Sequence, residues 1–304
     1  MVGRRVMLVA WICNHAMICV LGGTFALAAL SVPSKAFAEM VRRHADAAYV
    51  PENGPFGFGS LIMPARPKPD TPVVLAIHGG GWSAGDRKSW EGVAEFWRDE
   101  LECAVFNIEY RLASPANRWP ACGDDCVAAA KWMLSPAFTE LSGGVLKPER
   151  IWICGGSAGA HLTLWALTHL PPDKVAGAVS ISAIGDPVLD FAIHAGRYHA
   201  LFGKSAKAED LAAMDPRTAI RHGMAPLLCT HAEGDTVVPM ASHRAFADAY
   251  RAAGNICEFF MYPCDIQPGL TGHCIWHPKS HPHRLIAPIE NRIRDFFIRA
   301  GKGI

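Results

Sequence analysis

The sequence predicts an α/β protein built on a mostly parallel sheet with helices on both faces. Three observations carry that expectation. Continuous apolar runs of strand length recur at 72–77, 104–110, 151–154, 175–182 and 226–231, as in strands buried on both sides. Helical stretches separate these runs. Glycine-rich or acidic turns follow several of them, which is where a parallel sheet places its functional loops. With 304 residues, half of them hydrophobic, the chain is long enough for one large domain with a substantial core. A formal net charge of +1 and no basic stripe argue against a nucleic-acid or membrane-surface protein.

The first 38 residues read as a secretory signal. Met1 to Arg5 is basic, Val6 to Leu30 is mostly apolar, and Ala36-Phe37-Ala38 fits a small-x-small cleavage site before Glu39. The mature chain is therefore expected to be exported, periplasmic or secreted, with no stable membrane insertion after cleavage. An uncleaved N-terminal anchor is the alternative, because the apolar run is long enough to span a bilayer. Of the 10 cysteines, Cys13 and Cys19 would leave with the signal. In an oxidising compartment some of the others pair, and Cys264 with Cys274 is the best candidate. Cys103, Cys154 and Cys229 fall in apolar runs, where cysteine serves as a small hydrophobe.

Residues 39–304 are read as one domain. Glu39 to Arg66 is an irregular lead-in, with Gly59 to Met63 as an edge strand. Pro72 to Ile77 is a buried strand that runs into His78-Gly79-Gly80-Gly81-Trp82. Glycines at that point let backbone N–H groups face a cleft and hold an oxyanion. A phosphate loop would need Gly-Lys-Ser/Thr at its end, whereas the chain reads Gly85-Asp86-Arg87-Lys88-Ser89. His78 is expected to brace this loop through a hydrogen bond. Glu91 to Leu101 is a helix with Val93, Phe96 and Trp97 on its apolar face. Ala104 to Tyr110 is the next strand, and Pro120 to Leu134 a helix. Asp124 and Asp125 stand near its start as dipole partners or loop anchors.

Ile151 to Ala166 passes from strand to helix through Gly155-Gly156-Ser157-Ala158-Gly159. So abrupt a turn strains the serine backbone and brings strand and helix together. The positions two before and two after Ser157 must then carry almost no side chain. The arrangement raises a hydroxyl on a tip beside the N–H of Ala158, at a helix N-terminus that favours negative charge. The alternative is a plain βα turn whose serine caps the helix. Val175 to Ser182 is another strand. Gly185 to Met224 (residues 185–224) is an insertion placed to cap the cleft. Pro226 to His231 is a strand ending before Asp235. Met240 to Ala253 is a helix, Cys257 to Tyr262 a strand, and His283 to Ala300 a closing helix.

With His-Gly-Gly-Gly-Trp, Gly-Gly-Ser-Ala-Gly, Gly-Asp-Thr-Val-Val-Pro and Gly272-His273 in that order, the chain resembles the α/β-hydrolase superfamily. More narrowly it resembles the esterase/lipase branch with a His-Gly-Gly-Gly oxyanion motif, including feruloyl-esterase-like and hormone-sensitive-lipase-like enzymes. Glu109-Tyr110-Arg111-Leu112, Trp119-Pro120-Ala121 and Asp124-Asp125 match that branch too. The resemblance implies an α/β-hydrolase fold and a carboxylic ester hydrolase. It makes Ser157 the nucleophile, Asp235 the orienting acid and His273 the general base, in the chain order this fold uses. Oxyanion donors would be the N–H groups of Gly79, Gly80 and Ala158. No metal and no organic cofactor are implied, and the partner is a small-molecule or polymer-linked ester.

The chain departs from the pattern at three points. Gly156 stands where the hormone-sensitive-lipase-like enzymes usually carry an acid. Ala232 replaces the glycine of a His-Gly strand end. Cys264 to Thr271 makes the turn before His273 long. Alternatives therefore stay open: His277 as base, Asp186 or Asp190 as acid. A metal site among His273, Cys274, His277, His281 and His283 is another, although Pro278 and Pro282 interrupt any helix there. Aryl-formamidase or peptidase activity on the same triad is a second reading of function, and a catalytically silent binding protein a third. Trp82, Trp119, Tyr198 and Phe202 fit either an aromatic cleft or core packing.

Overall fold

A computed structural model describes residues 43–264, 272–276 and 284–301. The expected signal segment, residues 1–38, and the histidines at 277, 281 and 283 lie outside the described residues.

Eight strands form one sheet: β1 (Arg43–Ala48), β2 (Phe58–Ile62), β3 (Val73–Ile77), β4 (Ala104–Ile108), β5 (Ile151–Gly156), β6 (Val175–Ile181), β7 (Leu227–Ala232) and β8 (Cys257–Tyr262). Their order is β1-β2-β4-β3-β5-β6-β7-β8. From β4 to β8 every neighbouring pair is parallel, whereas β2 pairs antiparallel with both β4 and β1. Among the described residues the helices of two turns or more are α1 (Glu91–Leu101), α2 (Ala121–Met133), α3 (Ala158–His169), α4 (Pro187–His194), α5 (Met240–Ala252) and α6 (Ala287–Gly301).

The apolar runs become two-sided strands because successive side chains alternate between two cores. Leu75, Ile77, Phe106, Ile153, Ala178 and Leu227 point into one, together with residues of α2, α3, α5 and the 185–224 segment. Val74, Ala76, Val105, Cys154, Val179 and Leu228 point into the other, covered by α1 and α6. In α1, Val93, Phe96 and Trp97 are buried as the sequence implies, and Glu102 closes the helix in the left-handed region at φ 52°. Helix α3 is apolar around its whole circumference and buried over nearly its whole length. Such a helix belongs in the interior, and it packs against β5, β6, α2 and the 3₁₀ turn Pro216–Ala219.

One sequence expectation is corrected. Gly59 to Met63 does form a strand, but it is not the sheet edge, because β1 pairs outside it, with Ala47 opposite Gly59. Its residues Arg43-His44-Ala45-Asp46-Ala47-Ala48 lack the β-branched or aromatic run that marks a strand. The strand Ala104 to Tyr110 is also shorter than expected, ending at Ile108.

The chain enters β3, crosses to β4, then returns to β5 on the other side of β3. Such a reversal opens a crevice at the carboxyl ends of the strands. The glycine loop after β3 and the turn after β5 border it, and the loops after β7 and β8 leave from the same edge.

Candidate active site

Ser157 sits between β5 and α3 with φ 56° and ψ −122°, a region that a side-chain-bearing residue occupies only when its surroundings force it. Those surroundings are visible. Its N–H donates to the Ile181 carbonyl at 2.8 Å, tying the turn to β6. A Cβ at Gly155 would lie 2.3 Å from the Gly159 carbonyl oxygen, and a Cβ at Gly159 would lie 2.3 Å from that of Ile77. The two glycines flanking Ser157 are thus required by backbone contact. Ala158 opens α3, so its N–H is among those a helix leaves without an internal acceptor.

The glycine loop lies directly against this turn. A Cβ at Gly79 would meet the Gly156 carbonyl oxygen at 2.9 Å and the Ser157 Cβ at 3.3 Å. Gly80 and Gly81 adopt positive φ (113° and 58°), as does Trp82 at 62°. The loop closes on itself through Ala84 N–H to Gly80 O at 3.0 Å.

His78 braces it as expected. Its Nδ1 lies 2.7 Å from the Gly79 oxygen, which only accepts, so Nδ1 carries the proton. Its ring stacks on Tyr110 at 4.3 Å, and the Tyr110 hydroxyl donates to the His78 carbonyl at 3.1 Å. Burial lowers the His78 pKa to about 4, so the ring is neutral near pH 7. The Trp82 indole donates to Nδ1 of His161 at 3.2 Å, and Nε2 of His161 lies 2.9 Å from the Met214 carbonyl. His161 therefore carries its proton on Nε2 and joins the glycine loop to the 185–224 segment. Burial holds its pKa at about 4 as well.

Asp235 follows β7, and its carboxylate is buried. Oδ1 accepts the N–H groups of Val237 and Val238 at 2.9 and 3.0 Å. Oδ2 lies 2.7 Å from Nδ1 of His273, whose side chain is 17% exposed. Nδ1 is thus committed to the carboxylate, leaving Nε2 for proton transfer. Gly272 presses against the Asp235 loop, since a Cβ there would meet the Gly234 oxygen at 2.3 Å. Cys264 and Cys274 form a disulfide across a sequence separation of 10, with Cα atoms 5.9 Å apart. Cys103, Cys154 and Cys229 are free and buried, as their apolar runs imply.

The alternative acids are engaged elsewhere. Asp186 caps α4 through Leu189 N–H at 3.1 Å and pairs with Arg217 at 2.6 Å. Asp190 accepts from the Tyr198 hydroxyl at 2.8 Å and meets Arg197 at 3.2 Å. Asp125 anchors a loop, accepting from the Arg111 guanidinium at 2.7 Å and from Asn53 at 2.8 Å. Asp124 makes no comparable anchor; burial raises its pKa. Of the four aromatics, Trp82 and Tyr198 are wholly buried and 5.6 Å apart, which is core packing, while Trp119 and Phe202 are half-buried. Among the described residues no group of three or more His, Cys, Asp or Glu is placed to hold a metal ion.

Sequence reasoning gave no role to three buried histidines, His161, His231 and His243. The spacing carried a signal for two of them: His161 lies one helical turn after Ser157, and His231 lies four residues before Asp235.

Comparison with known proteins agrees with this fold. A family model described as the alpha/beta hydrolase fold matches residues 74–266, which takes in Ser157 and Asp235 and stops short of His273. A carboxylesterase of Mycobacterium tuberculosis is 37% identical over 103 residues, 34% of this chain and 31% of that protein. The arylacetamide deacetylase of Bos taurus is 35% identical over 102 residues, 33% of this chain and 25% of that protein. The match thus spans a third or less of these curated relatives. Among solved structures, a truncated carbohydrate esterase from gut microbiota superposes with a TM-score of 0.70 at 19% identity, covering 86% of this chain and 96% of that one. An esterase of Thermogutta terrifontis gives a TM-score of 0.63 at 21% identity, with 85% and 94% covered.

Proposed function

The chain belongs to the α/β-hydrolase fold family, and from that premise we propose that it hydrolyses carboxylic esters through an acyl-enzyme on Ser157. The observation that carries this reading is the 2.7 Å contact between Asp235 and Nδ1 of His273, on the sheet edge that also bears the strained Ser157. A serine hydroxyl is too weak an acid to attack an ester near pH 7 without a base. The carboxylate fixes the tautomer that leaves Nε2 of His273 bare, and it stabilises the imidazolium that forms.

In the first half-reaction the Ser157 oxygen bonds to the ester carbonyl carbon while His273 takes its proton. The carbonyl oxygen becomes an oxyanion facing the N–H groups of Gly79, Gly80 and Ala158, and each such donor is worth about 3 kcal/mol at the transition state. The alkoxide then leaves with the proton from His273. In the second half-reaction water attacks the acyl carbon, gives its proton to His273, and Ser157 departs with that proton. The 185–224 segment is read as a cap, because Tyr198 packs on Trp82 and the Met214 carbonyl meets His161, which the Trp82 indole also contacts. We infer that the protein is exported, to an oxidising compartment that would preserve a Cys264–Cys274 bridge.

A fluorophosphonate probe should label the protein, and Ser157→Ala should abolish both labelling and turnover of p-nitrophenyl acetate. Turnover surviving that substitution overturns the acyl-enzyme. Faster turnover of N-formyl-kynurenine or a dipeptide anilide than of any ester would move the activity to amide bonds.

A further inference from the structure

A second imidazole touches the carboxylate that holds His273. Nε2 of His231, on β7, lies 3.5 Å from Oδ2 of Asp235 and 3.0 Å from the Val238 carbonyl oxygen. Nδ1 of the same ring lies 3.1 Å from Nδ1 of His243, in the first turn of α5. Nε2 of His243 in turn lies 3.1 Å from the hydroxyl of Ser180, on β6. His231, His243 and Ser180 are fully buried. An unbroken polar chain therefore runs from β6 through α5 and β7 to Asp235.

Proton placement along this chain follows from its acceptors. The Val238 carbonyl only accepts, so Nε2 of His231 carries a proton. Nδ1 of His243, which meets Nδ1 of His231, also faces the Ala183 N–H at 3.4 Å, and its Nε2 meets the Ser180 hydroxyl. The groups facing His231 are Asp235, which favours a charged ring, and His243, His273 and Arg244, which disfavour it. From β8 the ring of Phe259, 5.4 Å from that of His243, contributes no charge. Burial is the largest influence and lowers the pKa of both histidines.

We propose that His231 is a positioning residue of the hydrolytic site: its Nε2–H, donated to the Val238 carbonyl, lies beside the Asp235 carboxylate that His273 uses. The inference rests on the reading of Ser157, Asp235 and His273 as one catalytic unit. The dipole of the His231 N–H, with its nitrogen 3.5 Å from Oδ2, competes with the His273 imidazolium for the carboxylate charge.

The test is the acid limb of kcat/KM against pH, which reports the base of the free enzyme. In His231→Leu the limb should rise by about half to one pH unit, with kcat reduced and KM nearly unchanged. His231→Gln, whose amide can present an N–H where Nε2 stood, should bring the limb back toward the parent. A folded His231→Leu enzyme with the parent limb overturns the proposal. If that variant fails to fold, nitrogen-15 NMR of the histidines in the unsubstituted protein decides. A neutral His231 ring protonated at Nε2 supports the proposal, and a ring protonated at Nδ1 alone or at both nitrogens overturns it. Failure of the underlying reading is separately visible, because Ser157→Ala would then remain active whatever His231 does.

Discussion

Gly156 and the Trp90 ring are packed so closely that the residue before Ser157 has no room for a side chain: a Cβ there would lie 2.4 Å from the indole. Trp90 is fully buried and meets Trp276 edge-on at 4.7 Å, three residues beyond His273. The departure from the related esterases at Gly156 is therefore matched by a bulky ring that reaches from the serine turn to the histidine loop. Gly156→Asp should cost about 2 kcal/mol or more, through overpacking and an unpaired buried carboxylate, and should lower kcat. Thermal unfolding and initial rates measure both. Pairing it with Trp90→Ala should restore part of the stability, and no restoration would show that the strain lies elsewhere.

Gly79→Ala addresses the other side of the serine. The added methyl would meet the Gly156 oxygen at 2.9 Å and the Ser157 Cβ at 3.3 Å, so the loop must shift. A shifted loop aims its N–H groups away from the oxyanion. The expected result is a fall in kcat of about 10- to 1,000-fold with KM little changed. An unchanged kcat would remove Gly79 from the oxyanion hole.

Acid stability follows from the buried histidines. His78 and His161 have ordinary pKa values near 6.5 when unfolded and about 4 when folded, because burial disfavours the charged ring. Between those values the unfolded chain binds more protons, so stability rises with pH across the window and is lost as pH falls through it. Each group contributes a slope of about 1.4 kcal/mol per pH unit. Denaturant melts between pH 4 and 7 should show the midpoint falling steeply below about pH 6.5. His161→Gln should flatten that slope, and an equal slope in the variant would assign the loss to other groups.

The Cys264–Cys274 bridge closes a short loop that ends one residue after His273. Reduction, or Cys264→Ser, should destabilise the protein by about 2–3 kcal/mol on the loop-closure argument. It should also lower kcat more than it raises KM. Melts and rates with and without dithiothreitol read both effects.

Much of this was legible in the sequence because it depends on local rules. Continuous apolar runs marked β3, β5, β6 and β7, and the paired glycines about Ser157 announced a contact that backbone distances now account for. The role of His78 followed from its position beside the glycines. What was not legible depends on contacts made across the fold. Strand β1 has no apolar pattern of its own, since it is defined by pairing with β2. His231 and His243 are 12 residues apart in the chain and meet only when α5 packs on β7. The ring filling the space at Gly156 comes from a residue 66 positions earlier in the chain.

The antiparallel pair β1 and β2 fixes where the polypeptide enters the domain. Two reversals make β1 run in the same direction as β4, so Arg43 starts at the edge opposite the loops that carry Ser157 and His273, opposite Ile62. Seven strand intervals separate β1 from β8, a lateral span of roughly 34 Å at ordinary sheet spacing. The described chain thus begins at the corner of the sheet diagonally across from the loop that carries His273.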